Sequence, residues 1–201
     1  MKLAMPFFAT MVMFASVGKA TPISNGTGLA NPSKTIDFNA SELMQDASID
    51  AAYTSQGVTF SNLFQDAKYS GYFPNISGGE AGNFTPNSPA APFNIWFSHA
   101  VDEAAFALMI SRSPAPSIIE SFLNGVLVET ASVFTSRSNS DNFYGFSDSL
   151  FDQIKVTPET AYGGAALIDQ LQFTTDVPEP VSLALLSSGL IGLGLVRRRR
   201  G

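Results

Sequence analysis

The chain has 201 residues, no cysteine, one histidine and a formal net charge of −6 at pH 7. Without cysteine there are no disulfides, no thiolate nucleophile and no Cys-ligated zinc or iron–sulfur centre. The charge is unevenly placed: residues 21–177 keep five of the basic and sixteen of the acidic residues, a net −11 that repels phosphate backbones and argues against nucleic acid as a partner.

Residues 1–20 read MKLAMPFFATMVMFASVGKA. Lys2 supplies a positive start, an uncharged apolar run follows, and Gly18 and Ala20 are small residues at −3 and −1 of a cut before Thr21. That order is a secretory signal peptide.

Residues 21–177 are long enough for one domain with a real core. Short alternating runs recur between turn signals. Residues 35–39 put Ile36 and Phe38 on one face, and residues 57–62 do the same with Val58 and Phe60. Residues 93–98 place Phe93, Ile95 and Phe97 opposite Trp96, and residues 105–111 align Phe106, Leu108 and Ile110. Two runs, 117–123 and 126–133, flank Asn124-Gly125, a type I′ hairpin signal. Residues 143–147, 151–157 and 165–174 complete the set. A helical period is visible, if anywhere, only at residues 48–53. Nine or so short strands predict an all-β fold, an antiparallel β-sandwich.

Chemistry is sparse in this segment. A Ser-His-Asp arrangement would have to use His99, and no G-x-S-x-G elbow is present. Gly78-Gly79 and Gly163-Gly164 read as turns, not as phosphate loops. A glycosidase needs two suitably spaced carboxylates. Sixteen acids offer many pairs, of which Asp102-Glu103 and Asp148 are expected in turns; as a set they read as a solvated acidic surface. No catalytic residue is assigned. Asp169 stands apart. In residues 165–174 it shares parity with Leu167, Leu171 and Phe173, so an unbulged strand would bury its carboxylate among apolar side chains. Such a charge needs a partner: a calcium ion, a basic residue such as Arg112, or backbone N–H groups. Trp96 and Tyr144, with Tyr69 and Tyr72, are candidates for an aromatic sugar-binding platform.

Residues 178–201 read PEPVSLALLSSGLIGLGLVRRRRG. From Val181 to Val196 no charge occurs, a run that as a helix would span about 24 Å, close to the thickness of a hydrocarbon core. Arg197, Arg198, Arg199 and Arg200 favour the cytoplasmic side. With a secretory signal in front, the body lies outside. Pro178 and Pro180 keep the segment just outside the bilayer extended.

This tail resembles the PEP-CTERM sorting signal: the tripeptide Pro178, Glu179 and Pro180, a transmembrane helix, and a terminal arginine cluster. The resemblance implies a Gram-negative bacterium, processing by an exosortase near the tripeptide, transient anchoring in the inner membrane, and a role at the cell surface or in an exopolysaccharide and biofilm matrix. The stretches TIDFNA, AYTSQGVTFSN, FLNGVLVETA, FYGF and ALIDQLQF resemble the bodies of many such proteins, which in turn look like jelly-roll carbohydrate-binding modules. That second resemblance implies a jelly-roll sandwich, polysaccharide as a ligand, and a structural calcium held by Asp169. Asp37, on the first predicted strand but of opposite parity to Ile36 and Phe38, is the candidate second ligand. The expected function is a non-enzymatic surface or matrix protein. The alternative is a hydrolase or lyase on a similar scaffold.

Overall fold

The computed structural model describes residues 19–39, 43–110, 115–135, 137–159 and 163–175. The signal helix and the membrane helix expected at the two ends lie outside these residues, as does Arg112. No helix among the described residues is long and apolar enough to cross a membrane.

In chain order the strands are β1 (Thr21–Asn25), β2 (Lys34–Ile36), β3 (Val58–Ser61), β4 (Phe64–Asp66), β5 (Glu80–Gly82), β6 (Phe93–Ile110), β7 (Ala115–Leu123), β8 (Val126–Thr135), β9 (Phe143–Ser147), β10 (Phe151–Thr157) and β11 (Ala166–Thr175). Every pairing is antiparallel, so the all-β antiparallel fold expected from the sequence is the fold found. Residues 48–53 form turns that lead into a single 3-10 turn, Thr54–Gln56.

β6 organises the molecule. The sequence predicts two strands at 93–98 and 105–111 with Asp102 and Glu103 in a turn between them; instead β6 is one strand of 18 residues. Its first half pairs with β3 and β10, its second half with β11 and β9. Polar Ser98 and His99 look like a break in sequence, yet the Ser98 amide still donates to the Gly57 carbonyl at 2.9 Å. The inward parity switches across this stretch, from Phe93, Ile95 and Phe97 to Ala104, Phe106, Leu108 and Ile110, all in one core cluster. A strand that changes sheets through such a bend makes a sandwich corner. One layer is β3-β6-β10-β7-β8. The other is β4-β5-β11-β6-β9-β1, with β2 beside β11. Rings meet between the layers: Phe97 lies 5.2 Å from Phe173 and Phe38 lies 5.9 Å from Phe60.

The second layer is buried on both faces. Its outer side carries Ala105, Ala107, Met109, Phe143 and Leu167, covered by Leu29 and Ile76 and by partly buried Tyr69, Phe73 and Phe84. The segment 69–79 is therefore a strap across this sheet. Close approach of β9 to β6 depends on Gly145, where a Cβ would collide with the Ala104 carbonyl. The hairpin between β7 and β8 turns as expected at Asn124 (φ 51) and Gly125 (φ 77), the positive pair that a type I′ turn requires.

Candidate functional site

Two places in this fold concentrate chemistry. The first is a group of buried carboxylates under the strap. Asp169 is fully buried, as expected, but on the opposite side from the one its parity predicts. Gln170 takes φ 48, and the register of β11 against β6 shifts between Asp169 and Gln172. This β-bulge separates the two halves of the strand. Leu171 and Phe173 point into the main core, whereas Leu167 packs in the second cluster under the strap. Asp169 Oδ2 accepts the Ser77 amide at 2.9 Å, and Oδ1 accepts the Gln170 amide at 2.6 Å. Backbone N–H groups, one of the three partners considered, are in place; Arg112 lies outside the described residues.

Glu80 and Asp66, which the sequence did not single out, stand directly across β4 and β5 from each other. Glu80 is fully buried. Its Oε1 accepts the Tyr69 amide at 2.7 Å, while Oε2 is buried with no hydrogen-bond partner. Asp66 Oδ1 accepts from Gln45 Nε2 at 2.9 Å and from the Lys68 amide at 2.8 Å. Burial pushes the Glu80 carboxyl up to about 7; the Tyr69 amide opposes this and the negative charge of Asp66 adds to it. Burial likewise pushes Asp169 up to about 7, against the amides of Ser77 and Gln170 and with the charges of Glu80 and Asp37.

Asp37, expected with Asp169 as a calcium ligand, lies near enough for its charge to act on the Asp169 carboxyl. Asp37 is exposed, and its Oδ1 accepts the Asn39 amide at 3.1 Å. Among the described residues no group of three or more acidic or histidine side chains could hold a metal ion. Glu80 and Asp169 are the two buried carboxyls of this group that burial pushes towards neutrality. Beside them opens a cleft of about 400 Å³ lined by Gln45, Asp46, Asp66, Lys68, Tyr69 and Phe84.

The second place is the outer face of the first layer. Cross-strand register sets Thr59, Trp96, Gln153, Phe122 and Leu127 in one row, and Ser61, Asn94, Lys155, Glu120 and Thr130 in the next. The polar groups are linked: Asn94 Nδ2 donates to Ser61 Oγ at 2.9 Å, Gln153 Nε2 to Asn94 Oδ1 at 2.9 Å, and Lys155 Nζ to Glu120 Oε2 at 3.0 Å. Trp96 is partly exposed here, on the solvent side of a sheet, where the sequence placed it. Tyr144 does not join it. It is 2% exposed, and its hydroxyl donates to the Phe134 carbonyl at 2.8 Å, stitching β9 to β8. Its burial makes it a packing residue, a correction to its assignment as a platform. Tyr72 is exposed but lies on the strap, and Tyr69 lines the cleft, so neither extends the Trp96 row. His99 is exposed at the corner, with Nδ1 3.1 Å from the Ser98 hydroxyl. Alternation within FNIWF was the available signal for Asn94 and Trp96; Phe122 and Gln153 enter only through strand register.

Comparison with known proteins bears on the tail most directly. Residues 176–200 match the PEP-CTERM protein-sorting motif, which marks an exported protein processed at the membrane. No curated protein matches the chain. Among solved structures, one described as a binding sub-site dissection of a family 6 carbohydrate-binding module is similar at a TM-score of 0.35 and 13% identity, covering 71% of this chain and 94% of that one.

Proposed function

We propose that this chain is an exosortase-sorted protein of the cell surface or extracellular matrix of a Gram-negative bacterium, acting by binding polysaccharide and not by turnover. The observation that carries the reading is the sorting motif, which begins at residue 176, directly after Thr175, the last residue of β11. Mass spectrometry of the exported protein tests it. The expected product begins near Thr21, which keeps the whole of β1, and ends within residues 178–181. An intact tail on the surface form would leave a simple membrane anchor.

Support for the polysaccharide comes from the outer face of the first layer. Trp96 and Phe122 stand two strands apart, about 10 Å, close to the repeat of every second ring in an extended hexose chain. The linked Ser61, Asn94 and Gln153 side chains offer hydroxyl and amide groups beside that row. The acidity of the domain favours a neutral chain over a polyanionic one.

A second reading, a hydrolase or lyase, rests on Glu80, a carboxyl held near neutrality beside Asp66 and the strap cleft. Full burial of Glu80 counts against it, because a general acid must reach its substrate.

A further inference from the structure

The end of the sandwich from which the sorting tail leaves is defined by several independent pairings. β11 finishes at Thr175, opposite Val101, with Thr174 opposite Glu103. Val101 also pairs with Phe151, so the turn between β9 and β10, with exposed Asp148 and Leu150, lies at this end. Ser98 and His99 form the corner of β6 here, and β1 begins at the same end, Thr21 facing Ser147. Ser33 pins the last strand residue: its Oγ accepts the Thr175 amide at 3.0 Å and donates to the Phe173 carbonyl at 3.2 Å. Folded structure thus persists to within three residues of Pro178 and six of Val181. Fully stretched, those spacers reach only about 10 Å and about 20 Å. The polar layer of a bilayer takes up roughly 5–8 Å of that on each side.

From these lengths we infer that, before cleavage, the end carrying Ser33, Ser98 and Thr175 is held facing the polar surface of the membrane, with the opposite end outward. This rests on the sorting reading above. The hold comes from the short tether and not from attraction: Asp102, Glu103 and Asp148 outnumber Lys34 at this end, and anionic headgroups repel that balance. Cutting at the tripeptide therefore frees the domain from the bilayer and leaves no adhesive face behind.

The native chain has no cysteine, which permits single-cysteine mapping. Ser98→Cys reports the tail end. Ser140→Cys, exposed in the loop before β9, reports the far end. Both are placed in full-length chain with Pro178→Ala, Glu179→Ala and Pro180→Ala, so that the precursor stays in the membrane, and are labelled with a bulky polyethylene-glycol maleimide in isolated membranes and again in detergent. The expected result is several-fold slower labelling at residue 98 in membranes than in detergent, with no such difference at residue 140. A Gly-Ser insert of about ten residues after Thr175, about 17 Å in root-mean-square reach, should abolish the difference. Equal labelling at both ends in membranes, or protection that survives the insert, overturns the orientation. A precursor recovered in the soluble fraction sinks the sorting reading itself, an outcome visible before any labelling.

Discussion

The Ser77 amide and the Asp169 carboxylate, 2.9 Å apart, fasten the strap to the bulge of β11 and so join residues far apart in sequence. Removing the carboxylate with Asp169→Ala leaves the Ser77 and Gln170 amides without this acceptor in a buried site, costing on the order of 2–3 kcal/mol. Urea unfolding followed by tryptophan fluorescence measures this directly, because Trp96 is the only tryptophan. A change below about 0.5 kcal/mol, the size of an ordinary surface substitution, would mean the amides find water instead.

Stability should fall as pH rises through neutrality. Glu80 and Asp169 hold protons in the folded state up to about pH 7, whereas the unfolded chain releases them near pH 4. Between those values the native state binds more protons, so their contribution is fully present below about pH 4 and is lost as pH passes 7. From pH 5 to pH 8 the loss is on the order of 2–3 kcal/mol for each carboxyl. Glu80→Gln should flatten the profile. Thermal melts across this range check it, with and without chelator. Chelation is expected to leave the melting temperature unchanged. A drop on chelation that calcium restores, and that Asp169→Ala removes, would show a cation in place of the proton.

Gly145→Ala should be among the most damaging single substitutions in the domain. The added Cβ meets the backbone of Ala104 and Ala105, which cannot rotate away as a side chain could. β9 would have to separate from β6, disturbing Phe143 and Phe146, both buried. A cost above about 3 kcal/mol is expected, enough to reduce soluble yield. A near-native melt would mean that β9 slides along β6 at little cost.

Much of this fold is legible in sequence, and the failures have identifiable causes. β9 and β10 fall at the residues the sequence predicts; β10 alternates because one face lies in the core, whereas β9 is an apolar run buried on both faces. β4 and β5 have three residues each, too short for any period to register, so neither they nor the pairing of Asp66 with Glu80 is legible in the sequence. Parity showed that Asp169 is buried but assigned the wrong side, because the bulge at Gln170 is set by tertiary pairing and not by residue type. Trp96 and Tyr144 look alike as candidates. Only the register of β9 between β1 and β6 shows that Tyr144 belongs to the interior.

The outer face of the first layer is where binding can be tested against turnover. Stacking a sugar on a side chain needs an accessible ring, and Trp96 is partly exposed in a row with partly exposed Phe122. Catalysis by paired carboxylates needs accessible acids, and Glu80 is enclosed. The mature protein is therefore expected to be retarded in native gels cast with a neutral polysaccharide. Trp96→Ala should lose that retardation; Phe122→Ala should weaken it, and Glu80→Gln should leave it intact. Because Trp96 is partly exposed, its truncation is expected to lower the melting temperature only modestly, and melts of the variants separate lost binding from lost folding. Reducing-end release and the absorbance of unsaturated products should stay at background in the same preparations. Robust turnover abolished by Glu80→Gln would place the chemistry in the strap cleft and make the protein an enzyme. Retardation unchanged in Trp96→Ala would remove this face as the polysaccharide site and leave the sorting assignment standing on its own.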